Sequence, residues 1–84
     1  MEQLSDGPVP KYAQLAGILR RHIKSGALAP GDSIPSETAL EAEFGLARGT
    51  IRKAIAVLRD EGTIVTTHGK GSYVADQSES GAGE

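Results

Sequence analysis

Between Pro10 and Gly26, the residues Tyr12, Leu15, Ala16, Leu19, His22 and Ile23 recur at three- and four-residue spacing, with Lys11, Gln14, Arg21 and Lys24 largely on the other side. That period predicts an amphipathic first helix. Pro10 suits its start and Gly26 a left-handed stop. Ala29-Pro30-Gly31-Asp32 follows with Pro and Gly at the centre, an order a type II turn favours because Gly accepts positive φ. A short extended piece is expected around Ser33 and Ile34. Ser36 is the N-cap expected for a second helix whose apolar residues are Ala39, Leu40 and Phe44, and Gly45 ends it after about two turns. In a third helix, Ile51, Ala54, Ile55 and Leu58 follow the i, i+3, i+4, i+7 order of a buried stripe, and Gly62 makes the stop.

Two short helices joined by a tight Gly-containing turn, the second with a basic outer face, describe a helix-turn-helix. Thr63 to Thr67 and Ser72 to Ala75 are rich in β-branched and aromatic residues, and His68-Gly69-Lys70-Gly71 between them can reverse the chain. The expected fold is therefore α+β, mainly α: a winged helix-turn-helix of three helices and a carboxyl-terminal β-hairpin wing. Residues 9–75 form its single domain. Residues 1–8 are expected to be a flexible head, and 76–84, DQSESGAGE, a disordered acidic tail with almost nothing to bury.

Composition narrows the class. Eighty-four residues without Cys leave no disulfide, no thiolate nucleophile and no Cys-based zinc site. A chain this small cannot enclose a roomy dry active site. No apolar run approaches the roughly 20 residues of a membrane span, and the amino terminus lacks a signal peptide's pattern. The expectation is a cytoplasmic, nucleoid-associated protein. The net charge of −2 hides an uneven distribution, because all nine Lys and Arg fall between Pro8 and Ala75 against six Asp and Glu there. The body carries a surplus of three positive charges, and the remaining acidic residues sit at the ends. A basic body suits a polyanionic partner.

On the third helix, Arg48, Gly49, Arg52, Lys53, Ala56 and Arg59 fall opposite the apolar stripe at 100° per residue. A helix fits the major groove of B-DNA, and Arg near its amino end can bind guanine O6 and N7 bidentately. Arg48 and Arg52 are the expected readers, with Lys53 beside them. Gly49 weakens the helix by up to about 1 kcal/mol relative to Ala, a cost that makes sense where a phosphate or backbone approaches closely. Ser36 can hold a phosphate oxygen at a helix start, or simply cap the helix. Thr38 and Thr50 are weaker candidates of the same kind. His68, Gly69 and Lys70 give the wing tip a donor, a cation and a bare backbone position to set against phosphates or a minor groove, although by themselves they describe an ordinary hairpin turn. Neither His22 nor His68 has a local partner for catalysis or metal binding, and Glu37, Glu41 and Glu43 read as solvated surface. No enzyme activity, cofactor or metal is expected.

The segment PGDSIPSETALEAEFGLARGTIRKAIAVLRDEGTIVTTHGKGSYV resembles the DNA-binding domain of the GntR family of bacterial transcription regulators. With PKYAQLAGILRRHIKSGALAP before it, the resemblance covers Pro8 to about Val74. Pro10-x-Tyr12 looks most like the HutC or YtrA branches. Pro35, Ser36, Glu37 and Leu40 match the signature at the second helix, Arg48, Thr50 and Arg52 the recognition-helix residues, and Gly69 and Gly71 the wing. The resemblance implies phosphate contacts at the start of the second helix, base or phosphate contacts from Arg48, Thr50 and Arg52, and a wing tip of His68 and Gly69 near the minor groove.

Three residues depart from the pattern. Ala47 stands where a capping Ser or Thr is usual, at about 1 kcal/mol of lost capping. Gly49 gives no side-chain readout. Thr63 replaces an apolar residue and is expected to loosen the joint between the third helix and the wing. Regulators of this family normally continue into an effector-binding and oligomerisation domain, and nothing after Val74 is expected to form one. The residues fit a fragment and a small stand-alone regulator equally.

The leading expectation is a bacterial transcription regulator, a repressor, that binds a specific double-stranded operator with recognition helix 48–61 in the major groove and wing 64–75 on the minor groove or backbone. The resemblance suggests a short pseudo-palindromic operator occupied by two copies, as a homodimer on DNA. The rival is a winged-helix protein-interaction module without DNA binding; such a surface should carry exposed apolar anchors, whereas this face offers Arg, Lys, Gly and Ala. An RNA-binding winged helix is the third reading, with few aromatics to stack on unpaired bases.

Overall fold

A computed structural model describes residues 4–67 and 71–75 of the chain. The expected wing-tip residues His68, Gly69 and Lys70 and the tail from Asp76 onward lie outside the described residues. The elements run α1 (Lys11–Ser25), α2 (Glu37–Phe44), α3 (Arg48–Asp60), β1 (Ile64–Thr67) and β2 (Gly71–Val74).

α1 starts at Pro10, whose carbonyl accepts hydrogen bonds from the Ala13 and Gln14 amides at 3.1 Å each. Leu15, Ala16 and Leu19 enter the core as the periodicity predicts. Ile18, left out of that stripe, is also buried, but it lies outside the main cluster and lines a groove with Ser5, Val9, Ala13, Gln14, Gly17 and Arg21. The residues before α1 bond to it: Gln14 accepts from the Ser5 amide at 2.8 Å and donates to the carbonyls of Ser5 and Val9, while Lys11 pairs with Asp6 at 2.8 Å.

The turn after α1 is closed by the Asp32 amide on the Ala29 carbonyl at 2.9 Å with Gly31 at φ 88°, as the Pro-Gly order predicts. The connector then joins the sheet. Ser33 bridges Tyr73 in antiparallel sense, Ile34 N–H donates to Ser72 at 2.9 Å, and Val74 N–H donates to Asp32 at 2.8 Å. β2 is therefore bonded on both sides, by the connector and by β1 in the register Ile64↔Val74, Val65↔Tyr73, Thr66↔Ser72 and Thr67↔Gly71.

α2 is short, and only Leu40 is fully buried; Phe44 packs partly against the core, whereas Ala39 is exposed, contrary to the expected apolar set. At 100° per residue Ala39 lies well off the line of Leu40 and Phe44, which are four residues apart on one face. Gly45 at φ 67° donates to the Glu41 carbonyl at 2.8 Å and turns the chain directly into α3. There Ile51, Ala54, Ile55 and Leu58 are all buried, and α3 packs against α1, α2 and β1. Its helical residues end at Asp60, one short of the expected 61, with Glu61 as cap and Gly62 at φ 81° behind it.

Thr63 does not loosen the joint to the wing. It is 7 % exposed, its amide donates to Leu58 at 3.0 Å, its carbonyl accepts from Ala75 at 2.9 Å, and its hydroxyl reaches Glu61 at 3.4 Å. A buried hydroxyl with a partner removes most of the penalty of a polar residue there. The expected strand limits, Thr63 and Ala75, thus lie one step beyond the ladder but still bond to each other.

Across the helices, Arg20 holds Glu61 bidentately, with Nε 3.1 Å from Oε1 and Nη2 2.6 Å from Oε2. The Arg20 hydrogen bonds, more than its charge or the Thr63 hydroxyl, keep the Glu61 carboxyl below its ordinary pKa despite some desolvation. Because the folded value is depressed, the stability it brings is present above the unfolded value, about 4.3, and is lost as pH falls through the folded one. In urea unfolding, the parent should therefore exceed Glu61→Gln at neutral pH, and the gap should close below the ordinary glutamate range. Leu58→Ala, which empties a fully buried position under α3, should lower the unfolding free energy by about 2–5 kcal/mol in the same assay.

Candidate nucleic-acid interface

The burial of the α3 stripe turns the opposite face of that helix outward. Arg48, Gly49, Arg52, Lys53 and Arg59 are exposed, Thr50 and Ala56 partly so. α2 crosses beside this face and the sheet stands at its far end, so an open cavity of about 670 Å³ lies between them. It is lined by Ser36, Glu37 and Thr38 at the start of α2, by Arg48, Arg52 and Arg59 on α3, and by Ser33, Thr66 and Ser72 on the connector and wing.

Of the sequence-derived candidates, the fold brings Ser36, Thr38, Arg48 and Arg52 to this one cavity. Ser36 caps α2, its Oγ accepting from the Ala39 amide at 3.1 Å, which leaves its hydroxyl proton free to donate. Gly49 and Thr50 are in the first turn of α3 but off the cavity wall. A Cβ built at Gly49 would meet nothing within 4 Å, so no neighbour within the chain demands glycine there. Lys53 turns to α1, its ammonium 4.3 Å from the centre of the Tyr12 ring, a cation–π contact at the edge of the helix. His68, Gly69 and Lys70 are outside the described residues.

Two features escaped the sequence reading. Glu37 and Glu41, taken for solvated surface, are the partners of the arginines: Arg48 Nε is 2.7 Å from Glu41 and 3.7 Å from Glu37, and Arg52 Nε is 3.2 Å from both Glu37 oxygens. The Glu41 hydrogen bond and charge raise the Arg48 pKa further above an already high value. No local spacing announces these pairs, because they join separate helices. Arg59, placed on the outer face but not singled out, shares the cavity with Arg48 and Arg52. The i, i+4, i+11 spacing of the three was the available signal.

The arrangement is a concave, hydroxyl- and guanidinium-lined surface, open to solvent on the side away from the core. Among the described residues no group of three His, Asp or Glu is placed to hold a metal ion, and no helix is long and apolar enough to cross a membrane.

Residues 11–74 match the model of the bacterial regulatory proteins, gntR family. The chain is 40% identical over 75 residues to the histidine utilization repressor of Klebsiella aerogenes, covering 89% of this chain and 31% of that protein. The structure resembles the DNA-binding domain of AraR solved in complex with operator ORX1, with TM-score 0.83 and 39% identity over 89% of this chain and 96% of that one. It also resembles YtrA from Sulfolobus acidocaldarius, a GntR-family transcription factor, with TM-score 0.78 and 35% identity over 89% of this chain and 63% of that one. The chain spans about a third of the length of the curated relatives it matches.

The start of α3 carries its own test. Ala47 occupies the N-cap with φ −68° and ψ 152°, and no side chain caps the helix. Ala47→Ser supplies the missing acceptor without changing the backbone, and should raise stability in urea unfolding by about 1 kcal/mol.

Proposed function

This chain belongs to the gntR family of bacterial regulatory proteins, and on that premise we propose that it binds double-stranded DNA sequence-specifically and represses transcription without catalysis. The observation that carries the reading is the single cavity onto which the start of α2, the basic face of α3 and the wing all open. In the proposed complex α3 enters the major groove with Arg48 and Arg52 toward base edges, Ser36 and Thr38 bond phosphate at the start of α2, Gly49 and Thr50 allow close approach in the first turn, and Lys53 flanks them. His68, Gly69 and Lys70 complete the interface at the wing tip, on the minor groove or backbone. The likeness to a domain solved on its operator supports this docking.

Two copies on a pseudo-palindromic operator are part of the proposal, since a dimer and a two-fold site share symmetry. So is a cytoplasmic location, where the DNA would be met. The rival reading, a protein-docking winged helix, lacks its anchors: the exposed large apolar residues among those described are Val9 and Val65, neither of them on α3.

Selection of a random duplex pool on the protein, then anisotropy titration of the recovered and a scrambled duplex at two salt concentrations, tests the function. An enriched inverted repeat bound in preference to the scramble is the expected result; no enrichment and equal weak binding would remove it. On the recovered duplex Arg48→Ala and Arg52→Ala should each lose about 1–3 kcal/mol with relaxed sequence preference, whereas Lys70→Ala should weaken both duplexes alike. Unchanged affinity in both arginine variants would show that α3 is not the reader.

A further inference from the structure

Arg48, Arg52 and Arg59 line one cavity, yet their electrostatic situations differ. Arg48 and Arg52 face the carboxylates of Glu37 and Glu41. Arg59, exposed on the last turn of α3, forms no ion pair or hydrogen bond with the described residues. An incoming anion meets a neighbouring carboxylate at the first two, which offsets part of their attraction, whereas Arg59 has no such paired carboxylate among the described residues.

Its position is also different. Arg59 is eleven positions beyond Arg48 on the same helix face, about 16 Å farther along the axis. With the amino end of α3 at the base edges, that distance carries Arg59 past the reading residues to the end where the helix joins β1. Two wing hydroxyls line the cavity with it: Thr66 and Ser72, directly opposite in the ladder, with their oxygens 3.2 Å apart. One proton serves their mutual hydrogen bond and the other is free to donate outward. Ser33 adds a third hydroxyl on the connector. A wing that reaches a minor groove while α3 occupies the adjoining major groove must straddle the sugar-phosphate strand between the two, and this end of the cavity is the gap it would straddle.

We propose that Arg59, with the Thr66 and Ser72 hydroxyls, is a seat for one phosphate of the DNA strand that passes between α3 and the wing, setting affinity and register but reading no base. The inference rests on the reading of the chain as a duplex-DNA binder. A planar guanidinium that shares a cavity with hydroxyl donors matches the tetrahedral oxygens of a phosphate diester, which Arg binds through paired N–H groups. The seat is separate in function from Arg48 and Arg52: those discriminate between sequences, while Arg59 holds any sequence.

The test is anisotropy titration of the recovered and scrambled duplexes, with the parent and with Arg59→Ala, Arg59→Lys and Ser72→Ala, at about 50 and 200 mM salt. Each variant is first shown by circular dichroism to fold and melt as the parent does. Arg59→Ala should weaken both duplexes by the same factor. Since each neutralised phosphate contributes about 0.9 to the slope of log affinity against log salt, its loss of affinity between the two salts should be smaller than the parent's by about 3.5-fold. Arg59→Lys should keep the parent's salt slope with weaker binding, because it retains the charge but not the paired donors. Ser72→Ala should weaken both duplexes with the slope unchanged. Arg59→Ala matching the parent in affinity and slope, while Arg48→Ala and Arg52→Ala lose binding, would overturn the seat and leave the DNA-binding function standing. A loss confined to the recovered duplex would make Arg59 a base reader and overturn the seat as well. Failure of the parent to bind either duplex would remove the DNA-binding reading, and the seat with it.

Discussion

The rest of this structure depends on the burial of one stripe of α3. Ile51, Ala54 and Leu58 are essentially inaccessible and Ile55 nearly so, and they meet α1, α2 and β1. The two Ile and the Leu each contribute about 1.5–3 kcal/mol when removed from water, and a small domain has few others to draw on. Once that stripe faces inward, helical geometry leaves no freedom to the opposite side. Arg48, Arg52 and Arg59 must point outward, and the short α2 and the wing, packed around the same helix, must flank them. The core and the interface are two sides of one constraint.

The electrostatics of that outer face are graded rather than uniform. Exposed pairs such as Arg48–Glu41 and Arg52–Glu37 are screened by solvent and weak, enough to orient a guanidinium but not to hold it against a better ligand. The pairs also hold local positive potential down where bases would be read. At the far end of α3, Arg59 has no ion-pair partner among the described residues. In the proposed complex such a face would separate the arginines set toward base edges from the one that meets a phosphate, which a uniformly basic helix could not do.

Much of this was legible in the chain. The three helices, their glycine stops, the type II turn at Gly31 and the two wing strands lie where the periodicity and turn chemistry put them, within a residue at each boundary. The misses share a cause. Ala39 is apolar by type, but it lies about 100° around α2 from Leu40, which with Phe44 faces the core. Ile18 was omitted because it lies off the main stripe, and it is buried on a second side of α1 beside the residues that precede the helix. Thr63 was expected to weaken a joint that its backbone and hydroxyl in fact tie, because the penalty for a buried hydroxyl depends on a partner that only the folded chain supplies.

The sequence by itself determined which residues form helices, the main buried stripe of α1 and α3 and which side of α3 is basic, because hydrophobic period, capping and turn preferences act over a few neighbouring residues. Tertiary structure alone decided that Glu37 and Glu41 oppose Arg48 and Arg52, that Lys53 leans on Tyr12, and that Arg59 shares a cavity with the Thr66 and Ser72 hydroxyls of the wing. Those relations join residues on separate elements, and they depend on how helices cross and where a hairpin docks. Both are set by the three-dimensional packing of side chains around Leu58 and its neighbours, for which no period along the chain is a proxy.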